Sequence, residues 1–403
     1  MNWKWFASKT VRLAGDMSKH VRKILDAQRD ILSPQAVSAV EAAMGDVKTA
    51  IVSGAGDEPV KKQMANLETV ANKWLKPYPN AGIRENVEVL LVALAVAMGI
   101  RTFIVQPFKI PTGSMQPTLF GVTPSPGPYA GNQPDLKVPG TVVGFFDFWI
   151  HGDSYYNIVA PENGELQAVR PPQRFLLFNL KQEYEFNNRW HTIWFPADDL
   201  FQRAGYGLAY GGSVMNSPQF NAGDPIVRLK VTAGDHLFVD RLSYNFRHPS
   251  RGEIIVFETR GIGNGLPPDQ FYIKRLVALG DEKVQIGNDR HLVIDGKRLD
   301  KFTPHFENVY SFNPSQPPLE SHYSGHLNQF IGNEYHQYSN LAPLFPDQST
   351  VYTVRSDHYM VMGDNTCNSS DSRVWGDFSR TNVIGKYFFV YWPFSQRFGW
   401  NVR

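Results

Sequence analysis

The hydrophobic pattern changes period along the chain. In "SPQAVSAVEAAMGDVKTAIV" (33–52), Ala, Val and Ile recur at three- and four-residue steps, which predicts a helix with Ser33-Pro34 as its cap and first-turn pair. "SGAGDEP" (53–59) breaks that period and "KPYPNAG" (76–82) reads as a linker, so residues 1–85 are expected to form a small helical extension. "VEVLLVALAVAMGIRTFIV" (87–105) is apolar throughout apart from Glu88, Arg101 and Thr102 near its ends. It is long enough for a single membrane span, expected over 86–107, with Glu88 and Arg101 snorkelling to the headgroups. The competing reading is a buried core helix, but no second apolar run of helical period is apparent to cover it.

After Phe108 the period shortens to two. "DHLFVDRLSY" (235–244), "EIIVFETR" (253–260), "QFYIKRLVAL" (270–279), "HYMVMGD" (358–364) and "VIGKYFFVYWPF" (383–394) are short apolar or alternating runs parted by Gly, Asp, Asn and Pro. "GNDRHLVIDGKRL" (287–299) reads as a hairpin with Asp-Gly at its far end. Residues 108–403 are therefore expected to be a mainly β, antiparallel domain. Two stretches fit less tightly, about 121–229 and about 301–350, and are read as insertions in it.

Composition narrows the function. A net charge of +2 gives no reason to expect a nucleic-acid partner. One cysteine, Cys367, excludes an internal disulfide and multi-cysteine metal sites. Residues 1–30 mix charges throughout and lack the apolar region of a cleavable signal. Lys61, Lys62, Lys73, Lys76 and Arg84 precede the apolar run, which places that side in the cytoplasm and residues 108–403 outside.

Three polar stretches stand out: "IPTGSMQPTL" (110–119), Lys274 within "FYIKRLVAL", and "GDNTCNSSDSRVWG" (363–376). Strand alternation puts Tyr272, Lys274 and Leu276 on one face, with Ile273 and Arg275 on the other. A buried lysine loses proton affinity, and a neutral amine can take the proton of a serine hydroxyl. Ser114 and Lys274 then form a nucleophile–base dyad, with the Ser114 amide and the Thr112 hydroxyl available to an oxyanion. A serine of the third stretch could orient the amine, and Asp371 with Arg373 could brace the loop.

These boxes resemble the type I signal peptidases. "IPTGSMQPTL" is similar to that family's serine box, "RGEIIVF" (251–257) to its Arg-Gly-Asp strand, "YIKRLVAL" to its lysine box and "GDNTCNSSDSR" to its Gly-Asp-Asn box, all in the family's order after an apolar anchor. The resemblance implies Ser114 as nucleophile, Lys274 as general base, Thr112 beside the Ser114 amide as oxyanion donors, and Ser369 as the serine that orients the lysine. Asp371 and Arg373 match the bracing pair, and Gly363 and Asp364 the loop that shapes the site. It also implies a β-rich peptidase of the inner membrane, needing no metal or cofactor, that cleaves signal peptides after small residues at −1 and −3. The implied partners are preproteins, membrane lipid and the export machinery. Two departures are visible: Ala278-Leu279-Gly280-Asp281-Glu282 where the family has Gly-Leu-Pro-Gly-Asp, and Glu253 for its Asp. Two other readings compete, a self-cleaving Ser–Lys protease of the repressor type and an inactive membrane-tethered β-rich binding module. The apolar run opposes the first, and the intact Ser114, Lys274 and Ser369 oppose the second.

Two further features are open. The aromatic run "YFFVYWPFSQRFGW" (387–400) reads either as sheet core or as an interfacial patch of Trp392, Phe394, Phe398 and Trp400. His322, His326 and His336 invite a metal reading, but their surroundings lack a helical pattern and no metal is expected there.

Overall fold

The computed structural model describes residues 8–400, except 55, 77–80, 126–130, 134, 176–177, 264–265 and 336–339. His336, most of the 76–82 linker and the first seven residues of the helical extension thus lie outside the described residues. The chain divides into two compact units, Met1–Ala95 and Val96–Arg403.

The first unit holds α1 (Lys9–Gln28), α2 (Pro34–Val52) and α3 (Asp57–Trp74). Ser33 caps α2 by accepting from the Ala36 amide, with Pro34 in the first turn, as the sequence pattern predicts. Their apolar faces meet at Leu25, Val40, Val47, Val60 and Leu67. The following helix, α4 (Ala81–Phe103), carries the apolar run, and over Gly82–Phe103 it is long and apolar enough to cross a membrane. At about 1.5 Å per residue its 22 residues reach about 33 Å, against a hydrocarbon core of about 30 Å. No part of its apolar window is buried by protein.

The second unit is built on a seven-stranded antiparallel sheet. Its strands are β1 (Val105–Lys109), β2 (His236–Asp240), β3 (Ile254–Glu258), β4 (Phe271–Ala278), β5 (His358–Met362), β6 (Phe378–Ser379) and β7 (Val383–Trp392), in the order β1-β2-β7-β3-β4-β5-β6. One face packs Ile110, Met115, Leu119, Leu237, Val256 and Val390 together, the other Ile255, Phe257, Leu276, Val361 and Trp375. Apolar side chains on both faces explain why the central runs are near-continuous rather than strictly alternating. Beside it, Lys283–Ile286, Leu292–Ile294 and Lys297–Arg298 form the expected hairpin, turning at Asp295-Gly296 with positive φ at both.

The stretch 121–229 is more ordered than its Pro- and Gly-rich sequence suggests. It contains a three-stranded and a five-stranded sheet around a core of Leu166, Phe186, Phe201, Ile226 and Leu229. It also contains α5 (Thr141–His151), a second apolar helix that departs from the single-run expectation. Eleven residues between Gly140 and Gly152 are too few to stand out from a glycine- and proline-rich background. Gly152 ends the helix in the left-handed conformation (φ 75°).

Candidate active site

Ser114 sits in a loop pinned at both ends by one residue. The Ile110 amide donates to the Asp235 carbonyl (3.0 Å), the Asp235 amide to the Phe120 carbonyl (2.8 Å), and the Phe120 amide to the Asp235 carboxylate (2.7 Å). Asp235 is fully buried and also holds Arg397 through two bonds of 2.8 and 2.9 Å. Inside the loop Met115 is 0% exposed and anchors the turn in the core, which fixes the backbone of its neighbour Ser114. Gln116 spans the turn, donating to Thr123 Oγ1 (2.9 Å) and accepting from Ser321 Oγ (2.5 Å).

Lys274 lies in the middle of β4, with Ile255 of β3 as its register partner. Its Nζ is 2.7 Å from Ser114 Oγ and donates to the Ile273 carbonyl at 3.1 Å. The two residues are only 4% and 7% exposed. Burial pushes the Lys274 amine down to about 8, partly opposed by the negative charges of Asp371 and Asp364. A serine hydroxyl against a buried amine that is easily made neutral can be deprotonated in place, which is what nucleophilic attack on a carbonyl requires. Among the described residues the Ser114 amide has no acceptor, and the exposed Thr112 hydroxyl has no partner, so both donors are free for an incoming oxygen.

The Gly-Asp-Asn stretch closes over this pair. The Asn365 amide donates to the Ser114 carbonyl (3.1 Å), and Asn365 Nδ2 donates to the Gly113 carbonyl (2.9 Å). Asp364 takes two bonds from Arg275, Nε to Oδ1 at 2.8 Å and Nη2 to Oδ2 at 2.6 Å, and a further short one from Thr118. Arg373 binds Asp371 in the same two-pronged way (2.9 and 2.8 Å), and both are 0% exposed. Burial works to raise the Asp371 carboxyl, but the Arg373 charge and the Gly363 amide outweigh it and hold it below the usual range. Gly363 has no room for a side chain: a Cβ there would stand 2.3 Å from Ser369 Oγ and 2.4 Å from the Ser114 carbonyl.

The structure brings together Ser114, Lys274, Gly363, Asp364, Ser369, Asp371 and Arg373. Ser369 differs in detail. It lies beside Gly363 and helps to hold the Asp371 carboxyl down, but among the described residues its hydroxyl completes no hydrogen bond of normal geometry, to Lys274 or elsewhere. Sequence reasoning passed over Asn365, Asp235, Gln116 and the Arg275–Asp364 pair. Asn365 and Arg275 were within the quoted boxes; nothing local marks Asp235. The stretch 301–350 also reaches the site, through Ser321 on Gln116 and through Tyr323 Oη, 3.0 Å from Thr118 Oγ1. His326 is buried against Tyr310 Oη (3.0 Å), where desolvation pushes its imidazole down to about 3, while His322 bonds the Glu320 carbonyl within its own loop.

The family described as "Signal peptidase, peptidase S26" matches residues 83–122 and 228–392, which is half of the chain. The chain is 28% identical over 168 residues to signal peptidase I of Leptolyngbya laminosa, covering 41% of this chain and 64% of that protein. It is 31% identical over 165 residues to the probable signal peptidase I-1 of a Synechocystis strain (40% and 65%), and 29% identical over 185 residues to signal peptidase I of Aquifex aeolicus (40% and 70%). The chain thus spans less than two thirds of the length of the Leptolyngbya and Synechocystis relatives. A crystal structure of a signal peptidase I from Enterococcus faecalis matches at 28% identity over 35% of this chain and 97% of that one, with a TM-score of 0.21. The matched segments contain the Ser114 loop, the Lys274 strand and the Gly-Asp-Asn stretch, and on that match the chain belongs to the signal peptidase family S26.

Proposed function

We propose that this chain is a membrane-bound serine endopeptidase that removes signal peptides from exported preproteins. The observation that carries the proposal is the 2.7 Å approach of the buried Lys274 amine to Ser114 Oγ. Neutral Lys274 takes the Ser114 proton as Oγ attacks the carbonyl that follows a small residue. The Ser114 amide and the Thr112 hydroxyl receive the oxyanion, and Lys274 returns its proton to the leaving amine. A water deprotonated by Lys274 then releases the signal peptide from the acyl-enzyme. Gly363, Asp364, Ser369, Asp371 and Arg373 hold the geometry and need no cofactor to do so.

In this reading α4 is the single span, over Gly82–Phe103, a little before the 86–107 that the sequence suggests, because Val105–Lys109 is taken up by strand β1. Residues 1–85 are cytoplasmic, because more cations lie at and before the start of the span (Lys73, Lys76 and Arg84) than at and after its end (Arg101 and Lys109), and residues 108–403 form the extracytoplasmic peptidase domain. Substrates reach the site from the same bilayer, delivered by the export machinery.

The test is cleavage of a preprotein bearing an Ala-x-Ala site, comparing wild type, Ser114→Ala and Lys274→Met from about pH 6 to about pH 10. A base that must be neutral gives activity that rises with pH and levels off above its pKa, so the expected rise centres near about pH 8. At about pH 7 roughly a tenth of the amine is neutral, some 300-fold more than for an ordinary lysine. Both variants should lose cleavage. Activity surviving in Lys274→Met overturns the dyad, and a folded but inactive wild type favours the tethered binding module.

A further inference from the structure

We infer that Ser321 is a positioning residue of the Ser114 site: it aims the Ser114 amide at the place where the oxyanion forms. The inference rests on the peptidase reading above and deepens it, because it gives the 301–350 stretch a task at that site.

The Gly113 carbonyl and the Ser114 amide belong to one planar peptide unit and point in opposite directions. Whatever holds that carbonyl therefore aims the amide. Two donors hold it, the Gln116 amide at 3.1 Å and Asn365 Nδ2 at 2.9 Å. The Gln116 side chain also packs over Gly113, with Oε1 3.0 Å from where a Cβ would stand. Gln116 and Asn365 are both buried away from water.

Ser321 bonds to both. Its amide donates to Asn365 Oδ1 (3.2 Å) and its hydroxyl to Gln116 Oε1 (2.5 Å). A backbone N–H can only donate, so it faces the oxygen of the Asn365 side chain and turns Nδ2 toward the Gly113 carbonyl. Gln116 has its Nε2 on Thr123 Oγ1, and the Ser321 hydroxyl holds the oxygen end. The Ser321 backbone is left-handed (φ 62°), which a serine rarely adopts. Such a conformation persists where the surroundings impose it, and here they do so through residues 44 and 205 positions away in sequence.

The turn that carries Ser321 is firmly placed. Arg290, at the start of the hairpin, binds the carbonyls of Asn313, Pro314 and Gln316 through its guanidinium (3.2, 3.0 and 3.0 Å). Its own carbonyl accepts from the His326 amide (2.9 Å), so one residue anchors the turn on both sides. The Leu327 amide then bonds Thr366 Oγ1 (3.0 Å) in the Gly-Asp-Asn stretch. Tyr323 adds a second tie to the Ser114 loop. Thr118 gives its single hydroxyl proton to the Asp364 carboxylate, so Tyr323 Oη is the donor in the 3.0 Å contact with Thr118 Oγ1. Ser321 itself reaches the reacting atoms only through Gln116 and Asn365. Its loss should therefore act on the transition state and not on substrate binding.

The experiment uses the full chain in detergent and a preprotein bearing an Ala-x-Ala site. It compares wild type, Ser321→Gly, Gln116→Met, the double variant and Ser311→Ala. Glycine accepts the left-handed backbone without strain, so Ser321→Gly removes the hydroxyl and keeps the amide. Ser311 is the reference, an exposed serine of the same stretch whose hydroxyl bonds the Asn308 carbonyl (2.7 Å). The expected result is a kcat at least ~10-fold lower in Ser321→Gly, with KM within about two-fold of wild type and no change in Ser311→Ala. The double variant should be no slower than the slower single variant, because both remove one contact. Hydrogen exchange of residues 110–120 should quicken at least ~10-fold in Ser321→Gly, while exchange of β3 and β4 stays as in wild type. An unchanged kcat in Ser321→Gly, or losses that add in the double variant, overturns the positioning role and leaves the peptidase reading intact. Exchange that is unchanged at 110–120, or that quickens equally in β3 and β4, also overturns it. A wild type that fails to cleave, with exchange at 110–120 quickened as expected, refutes the peptidase reading and leaves the hold of Ser321 on the Ser114 loop standing.

Discussion

Lys274→Met should stabilise the protein at neutral pH while abolishing its activity, and the gain should vanish as the pH rises. The fall of the amine from 10.5 to about 8 corresponds to about 3 kcal/mol by which the fold disfavours the ammonium. Below about pH 8 the amine is protonated in both folded and unfolded chains, so the full penalty is present. Between about pH 8 and pH 10.5 the unfolded chain keeps a proton that the folded chain has released, so wild-type stability rises with pH across that window. The methionine variant keeps most of the aliphatic stem and has nothing to titrate. It also forfeits the bonds to Ser114 and to the Ile273 carbonyl, about 1 kcal/mol each, and this loss does not depend on pH. The variant should thus gain about 1–2 kcal/mol near pH 7 and lose a similar amount near pH 10.5. The swing of about 3 kcal/mol is the quantity to read, because constant packing and hydrogen-bond differences cancel from it. Urea unfolding of both proteins in detergent, followed by tryptophan fluorescence at about pH 7, 8, 9 and 10.5, measures it. Parallel pH profiles would refute the reasoning, since they would mean that Lys274 titrates alike in the folded and unfolded chains.

Gly363→Ala should lower kcat by about 100-fold with little change in KM. The new methyl meets the Ser114 carbonyl at 2.4 Å, and that carbonyl cannot rotate away as the Ser369 hydroxyl can; steady-state kinetics beside a thermal midpoint separates displacement of the serine from unfolding. Arg275→Ala should cost about 3–5 kcal/mol of stability, because it leaves the buried Asp364 carboxylate without its two-pronged partner and frees the Gly252 and His305 carbonyls. Denaturant unfolding checks it, and pairing the change with Asp364→Ala should recover part of the loss if the stranded charge is its cause.

What the sequence alone determined is what a few neighbouring residues encode. The Ser33-Pro34 helix start, the Asp295-Gly296 turn, the short β runs and the length of α4 are all set by local period, capping and turn chemistry. The serine, lysine and Gly-Asp-Asn boxes were legible for a different reason: fixed residue types at fixed spacing match a family pattern. Only tertiary structure decided the state of those residues. Lys274 becomes a buried amine of lowered proton affinity because the neighbouring strands and the Ser114 loop, 160 residues away in sequence, close over it and remove water. Strand alternation set Arg275 on the opposite face from Lys274, but not its pairing with Asp364, 89 residues on, in a fully buried setting. Asp235 is an ordinary acid in sequence and the clasp of the Ser114 loop in the fold. The order within 121–229 and the outward face of α5 were equally hidden, because a short apolar run reads alike whether the fold turns it inward or out. Burial and charge pairing are properties of neighbours in space, and the chain acquires those neighbours only when the sheet assembles.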